Sequence, residues 1–366
     1  MLQNPLIISA ILLYVQEVLG NEILEGCDYD NLQRMYYCHE ITNTFPNQYY
    51  GDYHLRCVEC NITKFTENTF PFTNSLESFN VSYSGIRALH RRAFSKFTST
   101  QFIYLDHNDI RDISENAFAG AKQLYELHLE NNHLKRLKPR FLNNLSSNSV
   151  DLSRNQLVDI GDGVFEGVVG VLYLGLSYNK ISKLSEKAFE HLEVLEILDL
   201  KENKICTIPL GVFGRLPSLK TLNLAHNRLI SFSLGTFSGL KSLVELNLSN
   251  NNIQYFDGDF LLTLPKIYWV DLSENGIFHF DGYAIVENAP TLRQLKMDHN
   301  IFSCASLKIL IRYLRRGNVQ IVSDSSNYDV QNILGIACSE TELSNLSYKK
   351  FLATVREEAK NSKHVC

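Results

Sequence analysis

Two histidines invite a chemical reading first. His107 follows Asp106 and His128 lies two residues past Glu126, the residue types that acid–base chemistry or a metal site would use. Eight cysteines, an even number, offer a different chemistry, disulfide formation in an oxidising compartment. The last of them, Cys366, ends the chain in "KNSKHVC", where Lys363 and His364 favour the thiolate that exchanges into disulfides. Asn61, Asn80, Asn144, Asn247 and Asn345 each stand in an N-x-S/T sequon and could accept a glycan. A Gly-rich phosphate loop, a nucleophile elbow and a paired metal motif are all missing from the sequence. The expectation is a protein that is not an enzyme and takes no cofactor.

These residues share a compartment if the chain is exported. Residues 1–20 run apolar from Leu6 to Val15 and then offer Val18 and Gly20 ahead of a cut, the pattern of a secretory signal peptide. No later stretch supplies the roughly 20 apolar residues of a membrane-spanning helix. The net charge of -5 comes without a long basic block, which argues against nucleic acid or an anionic membrane as partner. A secreted, extracellular glycoprotein is expected.

The elements that must position the chemistry are legible in one residue type. Aligned asparagines occur at 108, 132, 155, 179, 203, 227, 251, 275 and 300, in stretches such as "YLDHNDI", "NLAHNRL" and "DLSENGI". The period is 24 residues, with one step of 23 and one of 25. Around them runs the pattern L-x-x-L-x-L-x-x-N-x-L, diagnostic of leucine-rich repeats. Residues two apart on a strand share a face, so Leu222 and Leu224 point inward and Asn223 outward. The buried asparagine can bond the backbone where the chain leaves the strand. Phenylalanines follow about ten residues later, at Phe118, Phe165, Phe189 and Phe213, and fill the convex side. Two further units place Ser84 and Cys60 at the asparagine position, giving about eleven repeats. The fold class is therefore an α/β repeat solenoid, a horseshoe with a parallel sheet on its concave side.

These motifs resemble the extracellular leucine-rich repeat family with repeats of about 24 residues, as in Toll ectodomains, Slit and the secreted leucine-rich immune molecules of mosquitoes, nearest to the coil-less type of the last. The resemblance covers roughly residues 53–303. It implies end caps and a binding role. The expected organisation is a signal peptide (1–20), an N-terminal cap (21–52), repeats (53–303), a C-terminal cap (304–340) and a tail (341–366).

An open solenoid exposes its core at both ends and needs covers. Cys27, Cys38, Cys57 and Cys60 predict two N-terminal bridges, with three connectivities open. Leu307, Leu310, Ile311 and Leu314 recur at helical spacing and predict a lid helix, with Cys304 and Cys338 bridged to hold it. Cys206 and Cys366 are left over. Cys206 is expected near the convex surface; Cys366 has three outcomes open, a bridge to a second chain, a bridge to Cys206, or a free thiol.

The frame also states which side chains face the concave side. The outward column reads Asn80, Tyr104, His128, Asp151, Gly175, Asp199, Asn223, Asn247, Asp271 and Lys296. Flanking rings add Phe102, Tyr125 and Tyr173, and further along Tyr268 and Trp269. Exposed rings are enriched at protein contacts, so a partner is expected on Phe102, Tyr104, Tyr125, His128 and Tyr173, with a second patch at Tyr268 and Trp269. Two roles follow. One is recognition of an extracellular protein or microbial surface in innate immunity, as a single chain or a disulfide-linked homo- or heterodimer. The other is adhesion or matrix organisation.

Overall fold

The computed structural model describes residues 26–46, 54–70, 75–256, 258–323 and 332–339. Residues 1–20 and 341–366, with Asn345 and Cys366, lie outside them. Eleven repeat strands, from His54–Val58 to Gln294–Lys296, pair side by side in one sheet. Every pairing between them is parallel and in repeat register, as with Leu198 beside Leu222 and Leu222 beside Leu246.

The asparagine ladder explains why the chain bends at the same place each time. Asn179 Oδ1 accepts the backbone N–H of Leu157 in the preceding repeat at 3.0 Å. Its Nδ2 donates to the carbonyls of Leu152, Leu176 and Ser177 at 3.0, 3.1 and 3.2 Å. The same set recurs at Asn108, Asn155, Asn227 and Asn275. One side chain thus satisfies the buried backbone groups that a strand leaving its sheet would orphan, each worth about 1–3 kcal/mol if left unpaired. The residue just before it is left-handed in every repeat from Tyr83 to His299, with φ between 52° and 58°. That conformation costs a non-glycine residue of order 1–3 kcal/mol, and the ladder enforces it on tyrosine, arginine and glutamate alike.

Inside, the leucine pairs are fully buried, Leu222 and Leu224 among them. Each such side chain contributes about 1.5–3 kcal/mol. The convex phenylalanines stack from repeat to repeat, with ring centroids 6.0 Å apart for Phe189 and Phe213 and 6.1 Å for Phe213 and Phe237.

The caps extend the sheet as well as covering it. Strand β1 (Cys27–Asp30) pairs antiparallel with β2 (Met35–His39), and β2 pairs parallel with the first repeat strand, β3 (His54–Val58). Cys27 bonds its hairpin neighbour Cys38, and Cys57 bonds Cys60. The second bridge closes the turn at the asparagine position of the first repeat, where no full repeat precedes it. At the other end, helix α1 (Gly282–Asn288) packs against helix α2 (Cys304–Arg316). Leu307, Leu310, Ile311 and Leu314 of α2 are buried in the core. Cys304 is bonded to Cys338, and Gln320–Val322 adds a final parallel strand. Cys206 departs from its expected place: it is buried, not at the surface, and is itself disulfide-bonded.

Replacing Asn179 by Ala should lower the unfolding free energy by about 3 kcal/mol in denaturant titration, because the buried Leu157 N–H loses its acceptor and three carbonyls each lose one donor. Asn223→Ala on the concave face, where the amide only caps the Ala225 N–H, should cost about 1 kcal/mol. Equal losses would contradict the ladder as the dominant restraint.

Candidate functional site

The concave column holds two kinds of residue. Asn80, Asp151, Asp199, Asn223, Asn247 and Asp271 each turn a side-chain oxygen back onto the N–H two residues on, at 2.8–3.1 Å. These Asx turns close the strand and leave little for a ligand. Tyr104 and His128 make no such bond and stack on each other, centroids 4.7 Å apart. Phe102 stacks on Tyr125 at 6.1 Å beside them, and Tyr83 on His107 at 4.4 Å. Three stacked pairs thus present rings over the same few repeats, with Tyr83 and Tyr125 well exposed.

Carboxylates surround the rings. Glu126, His128 and Glu130 share one strand face at alternate positions, and the imidazole lies between them, Nε2 3.0 Å from Glu126 and Nδ1 3.2 Å from Glu130. Burial opposes the charged imidazole, but the hydrogen bonds and charges of both glutamates outweigh it and push its pKa up to about 9. His128 is therefore a fixed cation at neutral pH, with both nitrogens engaged. It cannot act as a general base or a metal ligand. The His107 Nδ1 lies 2.8 Å from Asp106, and that carboxylate also accepts from the Ser82 hydroxyl.

Burial, then the charges of Glu126, Asp106 and Glu130, raise the Tyr104 pKa. Burial, then Asp151, Asp199 and Glu130, push Tyr173 up to about 12. Burial also raises Asp151. The second oxygen of Glu130, Oε2, is shielded and has no hydrogen-bond partner. With five carboxylates (Asp106, Glu126, Glu130, Asp151 and Asp199) around one clamped cation, this half of the face is aromatic and acidic.

Gly175 explains how Tyr173 reaches the patch. A Cβ at Gly175 would sit 2.7 Å from Asp151 Oδ1 and 3.0 Å from the Tyr173 hydroxyl, so the missing side chain is the notch that the Tyr173 ring covers. Tyr178, three residues on, lies under the Arg154 guanidinium at 4.2 Å. The second patch is thinner. Trp269 is half-buried at the start of its strand and Tyr268, just ahead of it, is exposed, and among the described residues neither ring stacks on another. Asn247 lies between the patches and Asn80 beside Tyr104, while Asn61 and Asn144 are exposed. The Glu130 arm of the clamp is not among the residues that the sequence singles out, and neither is the left-handed column as a column, although His107 stands in it. The period-two spacing in "ELHLE" carries the first; the second has no signature, because its residues share no type.

The leucine rich repeat family matches residues 74–134, 148–205 and 193–253. Lumican of Oryctolagus cuniculus is 33% identical over 124 residues, 34% of this chain and 62% of its own length. Fibromodulin of Oryctolagus cuniculus is 31% identical over 107 residues, 29% of this chain and 71% of its own. The chain thus spans less than two thirds of that lumican. Among solved structures, the Toll–Spatzle complex of Drosophila shares the fold at a TM-score of 0.63 and 18% identity, covering 83% of this chain and 42% of the other. The chain belongs to the leucine-rich repeat family.

Two outcomes follow from the geometry. The raised pKa of His128 means that its pairing stabilises the fold fully below the unfolded value of about 6.5 and is lost as pH rises through about 9. The stability difference between the wild type and His128→Gln should therefore shrink over that window, and NMR titration of the ring should place its midpoint near the upper end. Gly175→Ala should displace the Tyr173 ring and lower the denaturant midpoint by about 1–2 kcal/mol of stability; an unchanged midpoint would mean that the notch is open.

Proposed function

We propose that the protein is a secreted, non-enzymatic binding protein that engages an extracellular protein through Phe102, Tyr104, Tyr125, His128 and Tyr173. The observation that carries this reading is the stacked ring cluster set among carboxylates, on the part of the column not consumed by Asx turns. Aromatic side chains held rigid at the centre of a contact supply most of its energy, and carboxylates around them select a partner with basic side chains. The Toll–Spatzle complex supports the reading in kind, since its solenoid is seen with a protein bound. Recognition in innate immunity is the role we favour, with Tyr268 and Trp269 as a secondary contact. A matrix-organising or adhesion role uses the same surface, and the likeness to lumican and fibromodulin favours it. Expression that rises in blood cells after infection separates the first role from the second.

The secreted protein, used as bait in extracellular fluid, should retain a partner that the Phe102→Ala/Tyr104→Ala variant holds at least about tenfold more weakly. A Tyr268→Ala/Trp269→Ala variant should lose less. Retention unchanged in the first variant would move the contact off this patch.

A further inference from the structure

The concave face is acidic and the chain carries a net charge of -5, yet one flank is cationic. After each ladder asparagine the chain leaves the sheet and runs along this flank, where Lys64–Phe65, Ala88–Leu89 and Asp112–Ile113 form a short parallel ladder. Arg87 and Arg111 occupy equivalent positions in successive repeats, the N–H of Arg111 donating to the Arg87 carbonyl at 3.0 Å. Lys135 holds the same place one repeat on; the next repeat has Val158 there, and Lys180 and Lys204 resume the row beyond it, two residues nearer their asparagines. All five side chains are exposed, and among the described residues none has a carboxylate partner.

The nearby carboxylates are taken by other side chains. Asp112 pairs with Lys138 at 2.5 Å and Asp159 with Arg136 at 3.7 Å. Asp109 lies 3.4 Å from the His133 Nε2. The His133 Nδ1 is 3.1 Å from the Gln156 amide nitrogen, so the ring is held from both sides. Between these groups opens a concavity of 330 Å³ lined by Arg111, His133, Lys135 and Gln156.

We infer that this flank is a binding site for a linear sulfated polysaccharide, seated with one sulfate in the concavity between Arg111 and Lys135 and others along the row. From Arg87 through Arg111 to Lys135, strand spacing repeats a cation about every 4.8 Å, close to the length of one sugar ring, so successive anionic groups of such a chain meet these three successive repeats. The guanidinium forks of Arg87 and Arg111 suit a tetrahedral oxyanion. Single-stranded nucleic acid fits less well, because it binds on aromatic platforms and the corresponding positions from Arg87 to Lys204 carry no Phe, Tyr or Trp. The site is separate from the concave patch and does not depend on the function proposed for it.

The test uses the full secreted chain on immobilised heparin oligosaccharide, with a fully desulfated oligosaccharide and a single-stranded DNA oligonucleotide as competitors. Binding at physiological ionic strength that weakens steeply with added salt is expected. The Arg111→Glu/Lys135→Glu variant should bind about tenfold or more weakly, with its thermal midpoint unchanged because both residues are exposed. Removing the concave rings in Tyr104→Ala/Tyr125→Ala should leave heparin affinity as it was. No binding by the wild type, or an unchanged affinity in the charge-reversed variant, would overturn the site. Equal competition by desulfated sugar or by DNA would overturn the assignment to sulfated polysaccharide.

Discussion

The whole molecule depends on one amide. A strand that stops after a few residues and turns through a right angle leaves buried N–H and carbonyl groups with no neighbour to bond, and water cannot reach them. The ladder asparagine reaches both its own turn and the one before, as Asn203 does with Leu176, Leu200 and the N–H of Ile181. Because the bonds cross from repeat to repeat, each turn is incomplete until its neighbour stacks. Register, the left-handed residue and the outward direction of the concave column all follow from that requirement.

Function is then left to the positions that the ladder does not use. On the concave face most of the column is still occupied by strand closure through Asx turns, and only Tyr104 and His128 form an uninterrupted pair of rings. The clamp of Glu126 and Glu130 holds His128 charged and so reduces the repulsion among the carboxylates around it. On the flank the same repeat spacing lines up Arg87, Arg111 and Lys135. Acidic and basic surfaces thus share one scaffold, separated by a bend in the chain.

The repeats were readable because the ladder demands one residue type at one period, and the inward leucines follow strand alternation. The lid helix was readable from the spacing of Leu307, Leu310, Ile311 and Leu314. Other features lie in long-range geometry. The pairing of Cys27 with Cys38 depends on a hairpin whose register no local pattern states. Cys206 follows an inward isoleucine, so alternation points it outward, yet it is buried and disulfide-bonded. The ring stacks were visible as residues but not as contacts, since Phe102 meets Tyr125 only when two repeats align side by side. The pairs along the left-handed column, Glu202 with His226 and Glu274 with His299, have the same origin.

The hairpin at the first repeat has a further consequence. A parallel sheet with a bare first strand would accept the last strand of another molecule and grow head to tail into a filament. Here β1 reverses the chain direction before the sheet ends, so an incoming strand would meet an antiparallel edge. Asp28 and Asp30 stand on that strand, and their charge discourages a docking backbone. The charged hairpin therefore disfavours, at this end of the solenoid, the end-to-end growth that a repetitive sheet invites.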